Sequence, residues 1–251
     1  MTRILATTAL ALSAPAAALA QQYTDAGTFT LEGWNYDALY ATGSWNVEDL
    51  LDRRVTGLTG EEIGEVEDLV FNDRGELLAL VAEIGGIWDI ADTHVSVPWQ
   101  DVEIPKIGPV GVPVTEDSVD QFSVFDYSGL AGTEIGDKIV ADVEQKALHG
   151  GIWRASDMLG DFVRIQDADE AWMNFGYVTD LVVQDAMIRA TVVNTDPAID
   201  GGVYAYPPYV GQTGTEAPAN WVPHSATYDM PILRGDASTL PSFEIDKVGG
   251  Q

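Results

Sequence analysis

Acidic side chains carry most of the chemistry this sequence could do. In "EIGEVEDLVF", Glu65 and Glu67 alternate and should share one strand face, where their oxygens could hold a divalent cation. Plain solvation is the favoured reading of that pair. The loop "QDADE" brings Asp167, Asp169 and Glu170 together, and its opening acids are those of a calcium loop. It lacks the glycine at the sixth position and the acid at the twelfth that an EF-hand requires, so it reads as a surface loop. Asp68 and Asp180 differ from these because they occupy the same place in two similar stretches, "IGEVEDLVF" and "FGYVTDLVV". Their expected role is structural, accepting backbone N–H groups at a bulge or turn.

Other catalytic chemistry finds little support. His94, His149 and His224 sit in three separate segments with no H-E-x-x-H pattern, so a zinc site is not expected. There is no cysteine and no G-x-S-x-G, and a hydrolase would need a triad assembled purely in three dimensions. "GQTGTEAP" is no phosphate loop, and no cofactor is expected. Tyr204, Tyr206 and Tyr209, beside Pro207 and Pro208, are candidates for a binding platform for a peptide, a glycan or a quinone-like ring. The same rings could pack inside, which is the favoured use. Trp99 and Trp153 read as core anchors.

The elements that must position these residues are strands. "EIGEVEDLVF", the turn "NDRGE" with Gly75 suited to positive φ, and "LLALVAEI" form a hairpin. Val66, Leu69, Val70 and Phe71 break strict alternation, which predicts a bulge or burial on both faces there. A short strand "VSVPW" follows, and Pro98 should end it. Ahead of the hairpin, "VEDLL" predicts a helical turn capped by Asn46.

A second set runs in the same order. "WRASDMLGDFV" corresponds to "WNVEDLLDRRV", and "FGYVTDLVV" to "IGEVEDLVF", so that Gly64 meets Gly176 and Leu69 meets Leu181. "MIRATVV" and "VYAYPPY" then take the places of the returning and closing strands. This order reads as duplication, giving two modules, each expected to have its own core. The segments are a lead-in over 21–44 that docks Trp34, Tyr36 and Tyr40, module one over 45–104, a linker over 105–147, module two over 148–210, and an extension over 211–251. That extension should wrap a module surface or trail in solvent, with Trp221 and Phe243 docked.

The stretches "DLLDRRV", "IGEVEDLVFNDRGELLALV" and "HVSVPWQDVEI" resemble the PRC-barrel family, shared by the photosynthetic reaction-centre H subunit and a ribosome maturation factor. The resemblance covers Trp45 to Ile104 and, with more departures, Ile152 to Val210, where "YPPYV" replaces "VPW". It implies a mainly β chain of two tandem, small, strongly bent antiparallel barrels with short helical turns. It also implies an adaptor role, since family members serve as modules in larger assemblies.

Composition sets the surroundings. "MTRILATTALALSAPAAALA" reads as a signal peptide cleaved after Ala20, which makes the mature protein periplasmic or secreted, with no transmembrane anchor after cleavage. Forty acidic residues against twelve basic ones give a net charge of −28. Such a surface repels phosphate backbones, which argues against nucleic-acid binding, and attracts divalent cations weakly. The expectation is a non-enzymatic scaffolding protein whose partner is another envelope protein. Low-affinity calcium binding or buffering is the alternative, and a hydrolase is the third.

Overall fold

The computed structural model describes residues 31, 33–85, 93–115, 117–122, 152–199, 201–209, 221–223 and 225–249. The expected signal peptide, residues 21–30, residues 123–151, residues 210–220, His149 and His224 lie outside the described residues. The chain is mainly β and forms two six-stranded sheets. Among the described residues no helix is long and apolar enough to cross a membrane.

A short helix α1 (Tyr36–Leu39) precedes β1 (Trp45–Asn46), β2 (Arg54–Thr56), β3 (Glu62–Asn72), β4 (Leu77–Ile84), β5 (Thr93–Pro98) and β6 (Val110–Gly111). After these come β7 (Ile152–Arg154), α2 (Ala155–Met158), β8 (Phe162–Gln166), β9 (Trp172–Gln184), β10 (Met187–Thr195), β11 (Val203–Tyr206), β12 (Thr227–Leu233) and α3 (Arg234–Ala237). The first sheet runs β5-β4-β3-β2-β6, and the second runs β11-β10-β9-β8-β12. In each, the outermost strand beside β2 or β8 is parallel, while the rest are antiparallel.

The two central hairpins share one register, bulges included. In the first, Val66 faces Ala82, Asp68 faces Val81, Leu69 faces Leu80 and Phe71 faces Leu77. In the second, Val178 faces Val193, Asp180 faces Val192, Leu181 faces Thr191 and Val183 faces Ile188. Each hairpin is interrupted twice at corresponding points. The turns differ: Gly75 takes φ +74 in the first, whereas Asp185 and Ala186 take φ 52 and 55 in the second. Two successive left-handed residues make the primed turn that suits the twist of a hairpin.

Each half of the chain lends a strand to the other. β1 precedes the first sheet in sequence yet pairs with β9, setting Trp45 against Val183. β7 precedes the second sheet yet pairs with β3, setting Trp153 against Phe71. The hairpin tips also bond: Leu77 N–H donates to the Ala186 carbonyl, and Ile188 N–H to that of Gly75.

This exchange corrects the expectation of two separate cores. Leu69, Phe71, Trp153, Leu181 and Tyr206 belong to a single apolar cluster that spans both sheets. Trp153 carries the junction, stacking on Phe71 at 4.9 Å and donating its indole N–H to the Asn72 carbonyl. Trp99 is a half-buried ring tilted against Trp45 at 5.2 Å on a 3-10 turn, not a fully interior anchor.

Three segments outside the two expected modules carry structure. Within the expected linker, β6 pairs with β2, and Val112, Val114 and Val119 are buried. Within the C-terminal extension, expected to wrap a module surface or trail in solvent, β12 pairs with β8 and buries Tyr228, Met230 and Ile232. The lead-in docks on the second sheet, where the Trp34 indole donates to the Ala205 carbonyl and Ala205 N–H donates to the Tyr36 hydroxyl. Phe243 stacks there on Tyr40. Parallel edge strands from distant segments leave no hairpin signature, which is why pattern alone passes over β6 and β12.

Candidate functional site

Asp68 and Asp180 hold the exchanged strands in place. Each sits at a bulge in its long strand and turns a buried carboxylate toward the segment that arrives from the other half. Asp180 accepts from Glu48 N–H at 3.0 Å, from Leu181 N–H at 2.7 Å and from the Asn46 amide at 3.1 Å. Asp68 accepts from Leu69 N–H at 2.7 Å, from Ser156 N–H at 3.3 Å and from the Ser156 hydroxyl. Asn46 therefore does not cap the turn after β1; it lies in that strand, and Asp180 supplies the acceptor for the turn's N–H. Burial raises the pKa of both carboxyls above the usual range, and these hydrogen bonds oppose the rise. For Asp180 the balance stands at about 6.

The paired-acid reading of β3 changes at the same bulge. Glu65 is exposed and faces Glu83 across the ladder. Glu67 has no ladder partner, since it is the extra residue between the Val66 and Asp68 pairings. It meets Glu83 of β4 and His94 of β5 instead of Glu65. Asp167, Asp169 and Glu170 form the β8–β9 turn without converging on a point. The Asp167 carboxylate accepts the N–H groups of Asp169 and Ala171, and Glu170 takes φ +61 at the turn's end.

Tyr204, Tyr206 and Tyr209 offer no platform, because all three are buried. Tyr206 meets Phe175 edge-on at 5.9 Å, and Tyr209 N–H donates to the Tyr228 hydroxyl. Exposed aromatic area lies elsewhere, on the outer face of β8 and β9. Phe162 (60% exposed) pairs with Tyr177 (45%), and Trp172 (40%) pairs with Gln166 two ladder steps beyond Arg164. The Arg164 guanidinium reaches over Trp172 with its carbon 5.8 Å from the ring centroid. It is fixed from behind by two 2.7 Å hydrogen bonds to Asp229 of β12. Asn194 donates to the Tyr177 hydroxyl at 2.9 Å and orients that ring. The sequence signal for this face is aromatic residues at the solvent-facing phase of alternating strands, visible only once the inward phase is assigned to Val163, Ile165 and Phe175.

Two clefts accompany these features. One of about 340 Å³ is lined by Thr56, Glu103, Ile104, Pro105, Pro109 and Gly111. The other, about 180 Å³, is lined by Asn46, Glu48, Asp49, Asp180, Ile245, Asp246 and Val248. Neither lining contains a histidine or a serine.

Residues 46–121 match the PRC-barrel domain. The PRC-barrel match runs past Ile104 and so takes in β6, together with Asp68 and the Glu67, Glu83 and His94 cluster. The aromatic face and Asp180 lie beyond the PRC-barrel match. No curated protein matches the chain.

Proposed function

We propose that this chain is a non-enzymatic adaptor of the cell envelope, built from two PRC-barrel units of which the second arose by duplication of the first. The duplication is supported by the common hairpin register, the matched bulges and the reciprocal exchange of β1 and β7. Export is supported by the signal-like N-terminus, whose basic residue, apolar run and alanine-rich end suit a signal peptidase. Locking two sheets together through shared strands and buried aspartates suits a rigid support more than a moving one.

One observation carries the binding role: Phe162, Tyr177, Arg164 and Trp172 stand outward on a strand pair that is braced by β12. Tyr, Trp, Phe and Arg are the side chains that dominate protein interfaces, because they cover large areas with few rotors to freeze. An arginine already held by Asp229 and aligned over Trp172 is organised before a partner arrives. The envelope partner would therefore present an apolar patch rimmed by polar groups.

The test uses the chain from Gln21 onward with a photo-crosslinker at Tyr177, compared with one at exposed Glu65. A discrete adduct from an envelope fraction is expected at Tyr177 alone. Combining Phe162→Ser with Trp172→Ala should cut its yield by about tenfold or more, the loss of at least one interface hot spot, without lowering the melting temperature. Equal yields from the two crosslinker positions, or from the variant, would remove the adaptor reading.

A further inference from the structure

We propose that Glu67, Glu83 and His94 form a binding site for one first-row divalent metal ion of the zinc class. The three residues come from β3, β4 and β5, adjacent strands of the first sheet, and Glu83 stands directly opposite His94 in the ladder. The bulge delivers the third ligand, because Glu67 is released from the ladder and turns toward that pair. One ligand atom from each residue lies within 4.8 Å of the other two. Tetrahedral donors about 2.0–2.2 Å from an ion lie roughly 3.3–3.6 Å apart, so small side-chain rotations that part Glu67 Oε2 from the His94 Nε2 it now touches would admit the ion.

The local electrostatics call for a cation. Glu67 Oε2 is shut off from solvent and accepts no aligned hydrogen bond, although the His94 Nε2 lies against it. The imidazole nitrogen is its polar contact, and a cation placed between the two would meet the buried charge of the carboxylate. Arg154 of β7 contributes positive charge from one side, yet its buried Nη2 meets no acceptor.

Donor chemistry decides the class of ion. One imidazole nitrogen and two carboxylates suit zinc and its neighbours, whereas calcium asks for six to eight oxygens. The side chains of His94 and Glu67 are 22% and 30% exposed, which leaves a path for entry and room for water to complete the shell. This replaces a diffuse attraction for cations by one place with three named ligands. The site is separate from the aromatic face, and its failure would leave the adaptor reading standing.

Zinc titration of the full mature chain by calorimetry tests the site, with excess magnesium present to occupy diffuse acidic charge. One saturable site per chain is expected. His94→Gln and Glu83→Gln should each weaken it about tenfold or more, and Asp169→Asn should leave it unchanged. Cobalt substitution should give visible absorption bands that His94→Gln abolishes. A readout that needs no variant is carbethoxylation of His94, followed by mass spectrometry, which zinc should suppress in the wild-type protein. Non-saturable binding, binding retained in His94→Gln, or carbethoxylation of His94 unaffected by zinc would overturn the proposal.

Discussion

Replacing Gly176 with alanine is expected to cost at least about 3 kcal/mol, beyond the usual range for overpacking, and Gly64→Ala should behave alike. A Cβ on Gly176 would lie 2.1 Å from the Asn194 carbonyl oxygen and 2.8 Å from the Thr195 Cα. On Gly64 it would lie 1.9 Å from the Glu83 carbonyl oxygen. Both obstacles are backbone atoms of the neighbouring strand. A flexible side chain could swing aside, but here β10 or β4 would have to leave its ladder. The two glycines occupy equivalent places, facing Val163 and Thr195 in one sheet and Val55 and Ile84 in the other. At both positions the backbone of the neighbouring strand comes too close to leave room for a side chain. Gly235→Ala in α3, where a Cβ meets nothing within 4 Å, is the control and should be neutral or stabilise by up to about 1 kcal/mol. Urea midpoints decide the matter: a Gly176→Ala protein as stable as the Gly235→Ala control would mean that β10 can move off Gly176 at little cost.

These glycines also mark how far the sequence could be read. The hairpins, the Gly75 turn and the end of β5 at Pro98 are legible, because period-two burial and turn chemistry act between neighbours in the chain. For the first hairpin the pattern leaves a bulge and two-sided burial open, and for the second it gives no bulge. The correspondence of Asp68 with Asp180 was equally visible, but not where their hydrogen bonds go. Their donors lie at Ser156 and Glu48, in the opposite half of the chain. Nothing in a repeat distinguishes a module that closes on itself from one that closes on its twin, since the exchanged strands have the same residues either way. The same blindness hid the cluster in the first sheet. Glu67 and His94 are far apart in sequence, and only a bulge together with two ladder registers brings them into contact. Tyr204 and Tyr206 take the favoured inward use because they enter the main core, while Ala205 between them turns to the docked lead-in and Phe243.

Asp180 offers the second large effect, and its sign depends on what replaces it. Asp180→Ala leaves the N–H groups of Glu48 and Leu181 and the Asn46 amide without their acceptor inside the protein. At about 1–3 kcal/mol for each group stranded, a loss of roughly 3–5 kcal/mol follows, with β1 released from β9. Asp180→Asn has a different outcome. Its Oδ1 can keep both backbone N–H groups, and the Asn46 amide can reverse to offer its oxygen to the new Nδ2.

The pH dependence then separates charge from shape. Burial lifts the Asp180 carboxyl from 3.8 to about 6 despite three donors, with the Glu48 carboxylate adding to the rise. A carboxyl raised on folding holds its proton more firmly in the native state, so its contribution is present below pH 3.8 and lost as pH climbs through about 6. That rise, already net of the three hydrogen bonds, corresponds to roughly 3 kcal/mol. Wild-type stability should therefore fall relative to Asp180→Asn between about pH 4 and pH 7, leaving the amide variant at least as stable at neutral pH. Taking the difference between the two proteins at fixed ionic strength cancels the repulsion of a chain that carries a net charge of −28. Denaturation curves that stay parallel across this range would mean that water reaches the carboxylate. A carboxylate open to water could not hold β1 on β9 as a buried latch.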